Sequence, residues 1–200
     1  MEQDLAWYIA TGAKELGIEI QQKVLLKCVQ YYHLLMTENQ KYNLTTIVDE
    51  QEAAIKHFVD SFSLLLVRKF ENESVLDLGS GAGFPGFPLA FFYDAIQILM
   101  VDSVEKKVKF LSKVVENLKL QHVKVLHQRA ENMGQSELYR AKFDVVMSRA
   151  VASLPVLLEY GIPLLKIGGG FFGYERTCCS RGNESCQTCI TGNEDRNYRS

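Results

Sequence analysis

Apolar positions recur at steps of three and four along the first 70 residues, which is the spacing of one buried helix face. The clearest series is Val24, Leu25, Cys28, Val29, Tyr32, Leu35 and Met36. Asn39 and Asn43 follow it and are expected to break the helix. The same spacing resumes between Glu52 and Val67. We therefore predict a helical extension over residues 1–70.

The apolar period changes after Asn72. Short runs of strand length begin at Val75, Ile96, Val123, Phe143 and Gly168. Helical patterns separate them, over residues 85–92, 104–118 and 154–165, with Ser103 as the expected cap of the second helix. This alternation predicts an α/β fold over residues 71–174, in which a parallel sheet carries helices on both faces.

The last segment, residues 175–200, contains only Ile190 and Tyr198 as large apolar residues. It shows no periodicity, so we predict an atypical, disordered tail. Four of the five cysteines lie there: Cys178, Cys179, Cys186 and Cys189. A metal site is the alternative interpretation, but an adjacent cysteine pair has poor zinc-ligand spacing, and we predict no metal.

Composition adds constraints on compartment and partners. Hydrophobic residues make up 47% and charged residues 23%, which excludes a wholly disordered chain. The opening residues lack the apolar core of a signal peptide, and no apolar run reaches the length of a membrane span. We expect a cytoplasmic protein with reduced thiols and no membrane partner.

The net charge of −2 argues against a generally basic nucleic-acid-binding surface. Charge is nevertheless uneven, because residues 102–129 carry seven basic and three acidic side chains. A solvated helix face is the simpler interpretation of this run, and a phosphate-binding patch is the alternative.

A glycine-rich loop carries the strongest chemical signal. It reads Asp77-Leu-Gly-Ser-Gly-Ala-Gly-Phe-Pro-Gly86, directly after the first predicted strand and before a helix. Such a loop presents backbone N–H groups to a ligand. Gly81, Gly83 and Gly86 also match the dinucleotide fingerprint, so an NAD-binding enzyme stays an alternative. The Asp77-x-Gly-x-Gly-x-Gly register instead resembles the first motif of class I S-adenosylmethionine-dependent methyltransferases, and it favours that cofactor.

Further candidates follow the later strands. Asp102 ends the second strand, where either cofactor would place its ribose. Ala130 and Glu131 follow the third strand, although Glu131 also suits a helix N-terminus for electrostatic reasons. Arg149 follows the fourth strand, at the edge where ligands meet in open α/β sheets. The Asn/Asp-Pro-Pro-aromatic motif of enzymes that methylate exocyclic amines is absent here. No cysteine is placed to act as the nucleophile that methylation of cytosine at its five position needs.

Together these segments resemble the ribosomal RNA small-subunit methyltransferase G family, also called glucose-inhibited division protein B. The resemblance rests on Asn43-Leu-Thr45, His57-Phe-Val-Asp-Ser61, Val75-Leu89, Asp102-Ser-x-x-Lys-Lys107, Arg129-Ala-Glu131 and Ser148-Arg-Ala-Val-Ala-Ser153. It implies the class I methyltransferase (Rossmann-like) fold, and we expect a monomer. It also implies transfer of a methyl group from S-adenosylmethionine to N7 of guanine 527 in bacterial 16S rRNA.

The resemblance also implies site residues. Family cofactor contacts carry over to Gly79, Phe84, Ala130, Glu131 and Arg149, and the wider methyltransferase fold class implies Asp102 as the ribose contact. We expect Arg149, Asn43 and His57 to shape the pocket between cofactor and RNA, although His57 equally suits a packing residue. Lys106 and Lys107 become candidates for RNA phosphates.

The family pattern is expected to end near Gly173, with its last strands missing. A catalytically impaired homologue that still binds the cofactor is therefore the alternative function.

Overall fold

The computed structural model of the chain describes residues 4–149, 154–177 and 186–189. Its N-terminal part is helical, as predicted. The helices are α1 (Leu5–Glu15), α2 (Gln22–Tyr42), α3 (Glu50–Ala53), α4 (Asp60–Phe62) and α5 (Leu64–Val67), with a π-helical segment, Ala54–Val59, between α3 and α4. The Asp4 carboxylate begins α1 by accepting a hydrogen bond from the Trp7 N–H at 2.9 Å.

Strands and helices alternate through the rest of the chain. The strands are β1 (Ser74–Leu78), β2 (Gln97–Asp102), β3 (Val123–His127), β4 (Phe143–Arg149), β5 (Leu165–Thr177) and β6 (Cys186–Cys189). The helices are α6 (Gly86–Phe92), α7 (Glu105–Asn117), α8 (Ala130–Met133) and α9 (Leu154–Gly161), the last followed by a 3₁₀ turn, Ile162–Leu164.

The strands form one sheet in the order β3-β2-β1-β4-β5-β6. All neighbours among β1 to β5 pair in parallel, and β6 pairs antiparallel with β5. The chain runs outward from β1 to β3 on one side and returns to β4 on the other. The carboxyl ends of β1 and β4 therefore border the point where strand order reverses, which is where such sheets bind ligands.

Apolar side chains cover both faces of the sheet. On one face Val75, Met100 and Val145 pack into a cluster that continues through α6 and α7 into the N-terminal helices. On the other face Leu76 and Val146 pack against residues of α8 and α9. The helices on both faces are thus confirmed, and the N-terminal helices share a core with the sheet.

Three details differ from the sequence-based predictions. α2 continues through Asn39 to Tyr42 and is capped by Asn43, whose φ of 50° is left-handed. Ser103 does not cap α7; the Asp102 carboxylate instead accepts a hydrogen bond from the Val104 N–H at 2.8 Å. In the tail, residues 175–177 extend β5 and residues 186–189 form β6, where we had predicted disorder. The other tail residues lie outside the described part of the chain.

No helix among the described residues is both long and apolar enough to span a membrane.

Candidate functional site

The glycine turn is fixed to the neighbouring strand by its own backbone. Gly79 and Gly81 have φ angles of 73° and 60°, a region that L side chains rarely adopt. The N–H groups of Gly79 and Ser80 both donate to the Val101 carbonyl, at 2.8 and 2.9 Å. The turn is therefore held at the carboxyl ends of β1 and β2.

Asp102 joins this turn to the start of α7. Its Oδ2 accepts a hydrogen bond from the Gly81 N–H at 2.9 Å, and its Oδ1 accepts the one from Val104. The Lys107 ammonium lies 3.7 Å from Oδ2. An ionised carboxylate has about four acceptor positions, so Asp102 retains capacity to bind hydroxyl groups.

A cavity of about 550 Å³ opens beside the turn, and we call it the cofactor cavity. Among its lining residues are five of the predicted cofactor contacts: Gly79, Asp102, Ala130, Glu131 and Arg149. Gln128 and Tyr160 also line it but are not among the predicted residues. Gln128 lies just before the Arg129-Ala-Glu131 segment, and Tyr160 belongs to no motif. Desolvation, followed by the nearby Glu131 carboxylate, raises the pKa of Tyr160.

A second cavity, of about 300 Å³, lies on the other side of the turn. We call it the acceptor cavity, because the residues expected to shape the pocket for the methyl-accepting RNA line it. The predicted residues Asn43, His57, Phe84 and Arg149 line it, together with the loop that follows α2. Phe84 lines this cavity and is absent from the lining of the cofactor cavity. Its predicted cofactor contact stays a prediction.

Arg149 stands between the two cavities and is held from several directions. Its Nη1 donates to Asp60 Oδ2 at 3.0 Å and to the Lys56 carbonyl at 3.1 Å. Its Nη2 lies 3.2 Å from His57 Nδ1, and its guanidinium carbon lies 5.1 Å from the centre of the Phe84 ring. The side chains of Arg149 and Asp60 are only 16% and 18% exposed.

His57 belongs to the same arrangement. Its ring stacks on Phe84, with centroids 4.4 Å apart, and its Nε2 lies 3.0 Å from Thr45 Oγ1. Asp60 and His57, both in the helical segments before α5, therefore orient the cation at the end of β4. Gly79, Gly81 and Arg149 line both cavities, so ligands bound in the two cavities would meet there. This arrangement suits transfer of a small group between two bound molecules.

Asp77 lies directly before the turn and is fully buried. It accepts a hydrogen bond from the Gly86 N–H at 3.2 Å. Burial raises the pKa of Asp77 to about 7, although the charge of Arg149 acts in the opposite direction.

The basic run is largely paired within the protein. Lys106 donates to the Tyr42 carbonyl at 2.9 Å, at the end of α2, and Lys107 faces Asp102. Lys109 pairs with Glu105, and Lys113 pairs with Glu38. These contacts favour the simpler interpretation of the run, and RNA contacts by Lys106 and Lys107 stay a prediction.

The described residues contain no group of three or more His, Cys, Asp or Glu side chains that could hold a metal ion. Cys186 and Cys189 lie on β6, whereas Cys178 and Cys179 lie outside the described residues.

Comparison with known proteins agrees with this geometry. Residues 25–187 match the family model GidB, described as rRNA small subunit methyltransferase G. The match extends past Gly173, where the sequence alone predicted the family pattern to end. The chain is 43% identical over 169 residues to the ribosomal RNA small subunit methyltransferase G of Carboxydothermus hydrogenoformans, covering 84% of this chain and 70% of that protein. It is 42% identical over 170 residues to the protein of that name from Acetivibrio thermocellus, covering 85% and 70%.

Solved structures share the fold at low sequence identity. A SAM-dependent methyltransferase from Aquifex aeolicus superimposes with a TM-score of 0.51 at 19% identity, covering 66% of this chain and 72% of that one. A putative S-adenosyl-L-methionine-dependent methyltransferase from Methanococcus maripaludis gives 0.51 at 13% identity, covering 72% and 61%. The predicted methyltransferase fold is thus confirmed, and the NAD-binding alternative is set aside. Because the family model covers most of the chain and relatives exceed 40% identity, the chain belongs to the GidB family, rRNA small subunit methyltransferase G.

Proposed function

We propose that this protein transfers a methyl group from S-adenosylmethionine to N7 of guanine 527, in 16S rRNA alone or within the small ribosomal subunit. The observation that carries the proposal is the pair of cavities that meet at Gly79, Gly81 and Arg149. One cavity has the size and lining for a nucleoside cofactor, and the other is small enough to select a single flat base.

The residues of the cofactor cavity fit S-adenosylmethionine. Asp102 provides free acceptor positions for ribose hydroxyls, and Ala130 and Glu131 line the same cavity, where they would read the adenine edge. A side chain added at Gly81 would enter open space, since the nearest atom to its Cβ would be the Gly79 carbonyl oxygen at 3.9 Å. When bound, the cofactor supplies a methyl group made electrophilic by its sulfonium.

The acceptor needs no general base, which agrees with the absence of an Asn/Asp-Pro-Pro-aromatic motif at the end of β4. Guanine N7 has a lone pair and no proton, so the enzyme's task is to align the base with the methyl group. Alignment of two reactants can contribute a large part of the rate acceleration. Arg149, Asn43 and His57 would perform it, with Arg149 donating hydrogen bonds at the boundary of the two cavities.

The N-terminal helices would complete the acceptor side. Asn43, Thr45 and His57 all come from residues 1–70, whereas the cofactor cavity is lined by residues after 77. We infer that the N-terminal extension provides substrate recognition and the sheet provides cofactor binding, with Lys106 and Lys107 near RNA phosphates.

Gly81→Ala is expected to weaken S-adenosylmethionine binding at least about tenfold, because the added methyl group would occupy the space between the cavities. Because Gly81 has a φ of 60°, an alanine at this position also adds backbone strain of about 1–2 kcal/mol. Gly17→Ala is the matched control, since Gly17 has a φ of 73°, no neighbouring atom within 4 Å and no part in either cavity. Isothermal titration calorimetry measures both variants. Equal affinity in Gly81→Ala and Gly17→Ala would contradict the assigned cavity.

The proposed reaction is tested by mapping 16S rRNA from cells that lack the gene and from cells that express this chain. We expect a methyl group at N7 of guanine 527 only when the chain is expressed, detected by mass spectrometry of nuclease fragments. Binding of S-adenosylmethionine without methylation would instead support the impaired homologue. A methyl group on another base would refute the assigned target.

A further inference from the structure

The hydrogen bonds around His57 determine which of its nitrogens carries the proton. Arg149 Nη2 lies 3.2 Å from His57 Nδ1, and a guanidinium can donate but never accept. Nδ1 must therefore be the acceptor, and the proton of the neutral ring is on Nε2. Nε2 lies 3.0 Å from Thr45 Oγ1, so His57 donates to the threonine oxygen.

Thr45 Oγ1 receives a second hydrogen bond, from the Ile47 N–H at 3.1 Å. A hydroxyl oxygen has two acceptor positions and one hydrogen to donate. Both acceptor positions are now used, which leaves only the donor. Within the part of the chain that the structure describes, no acceptor faces that hydrogen, and Thr45 lines the acceptor cavity.

Asn39 fixes the backbone that carries this hydroxyl. Its side-chain amide donates to the Thr45 carbonyl and accepts from the Thr45 N–H, both at 2.9 Å. Thr45 is thus held to the last turns of α2 by two hydrogen bonds, while His57 and Ile47 hold its side chain. The orientation of the hydroxyl is set before any ligand binds.

We propose that Thr45 is a specificity-determining residue that donates a hydrogen bond to O6 of the target guanine; this inference rests on the proposed guanine-N7 function. Beside N7, guanine presents the acceptor O6, whereas adenine presents the donor N6 amino group. A hydroxyl that can only donate pairs with O6 and opposes the amino group. Arg149, which also only donates, gives the cavity the same preference.

The test compares RNA that carries guanine at the target with RNA that carries 2-aminopurine, which keeps N7 and lacks O6. We expect Thr45→Val to lower kcat/KM on guanine about tenfold, the value of one hydrogen bond of about 1.4 kcal/mol, and to change kcat/KM on 2-aminopurine little. Each variant is assayed on the same two RNAs, so the difference in N7 reactivity between the two bases cancels when the kcat/KM ratios of the variants are compared. Thr45→Ser, which keeps the hydroxyl, is the matched control and should preserve the preference for guanine.

Two measurements that do not depend on turnover accompany this comparison. Nitrogen-15 NMR of the wild-type protein should show His57 protonated at Nε2, and Thr45→Val should bind S-adenosylmethionine with unchanged affinity. A His57 protonated at Nδ1, or equal losses on both RNAs, would overturn the inference and leave the proposed function intact. If the wild-type protein methylates no guanine, both the inference and the proposed function are refuted.

Discussion

Arg149→Ala is expected to reduce methyl transfer to 16S rRNA by about 100-fold or more, the scale of a misplaced reactant. Arg149 lines both cavities and is the side chain at their boundary that His57, Asp60 and Phe84 all contact. Its removal enlarges the junction, admits water and deprives His57 Nδ1 of this hydrogen-bond donor. It also leaves the largely buried Asp60 carboxylate without this cation, which costs stability.

The shape of the guanidinium matters as well as its charge. It donates simultaneously to the Lys56 carbonyl and Asp60, approaches His57 through its second nitrogen, and lies over the Phe84 ring. A lysine ammonium is a point charge and cannot satisfy this planar set. Arg149→Lys should therefore lose most of the activity too, which distinguishes positioning from simple charge.

Arg140→Ala is the matched control for both variants. Arg140 is an exposed arginine whose Nη1 donates to the Gly134 carbonyl at 3.0 Å, and it lines neither cavity. Single-turnover assays with tritiated cofactor measure the chemical step, and circular dichroism verifies folding. Full activity in Arg149→Ala would refute the assignment of this residue to the active site.

Much of the cofactor cavity could be predicted from the sequence, for a topological reason. The period of apolar residues locates the ends of parallel strands, and those ends meet at one edge of the sheet. Asp102 and Arg149 end β2 and β4, and Glu131 follows β3, so their convergence needs no knowledge of side-chain contacts. The glycine turn could be predicted as well, because its whole motif lies within residues 77–86.

The acceptor cavity was harder, because its contacts join distant parts of the chain. His57 and Arg149 are 92 positions apart, and the π-helical segment that carries His57 has a wider turn than the α-helical period predicts. Asn39 illustrates a second difficulty. It was expected to break α2, since asparagine commonly competes for local backbone groups. Its amide instead bonds to Thr45, six residues ahead, and the helix continues beneath it.

Asp77→Asn is expected to make the protein progressively more stable than wild type as pH rises. Burial raises the pKa of Asp77 to about 7, above the 3.8 of an unperturbed carboxyl group. The folded state therefore binds this proton more tightly than the unfolded state. Its contribution to stability is complete below about pH 4 and is lost as pH rises through 7. Asparagine fills similar space and cannot ionise.

Urea denaturation at pH 5, 6, 7 and 8 measures the effect. The free energy of unfolding of Asp77→Asn relative to wild type should increase by about 3 kcal/mol over this range, from about 1.4 kcal/mol per pH unit up to pH 7. Asp144→Asn is the control. Although burial opposes it, hydrogen bonds from Lys166 and Ser74 lower the pKa of Asp144 to about 2, so Asp144 is ionised in both states throughout this range. Its substitution should shift stability by a constant amount, and an equally flat difference for Asp77→Asn would mean that the carboxyl group before the glycine turn is ionised in the folded protein at pH 5.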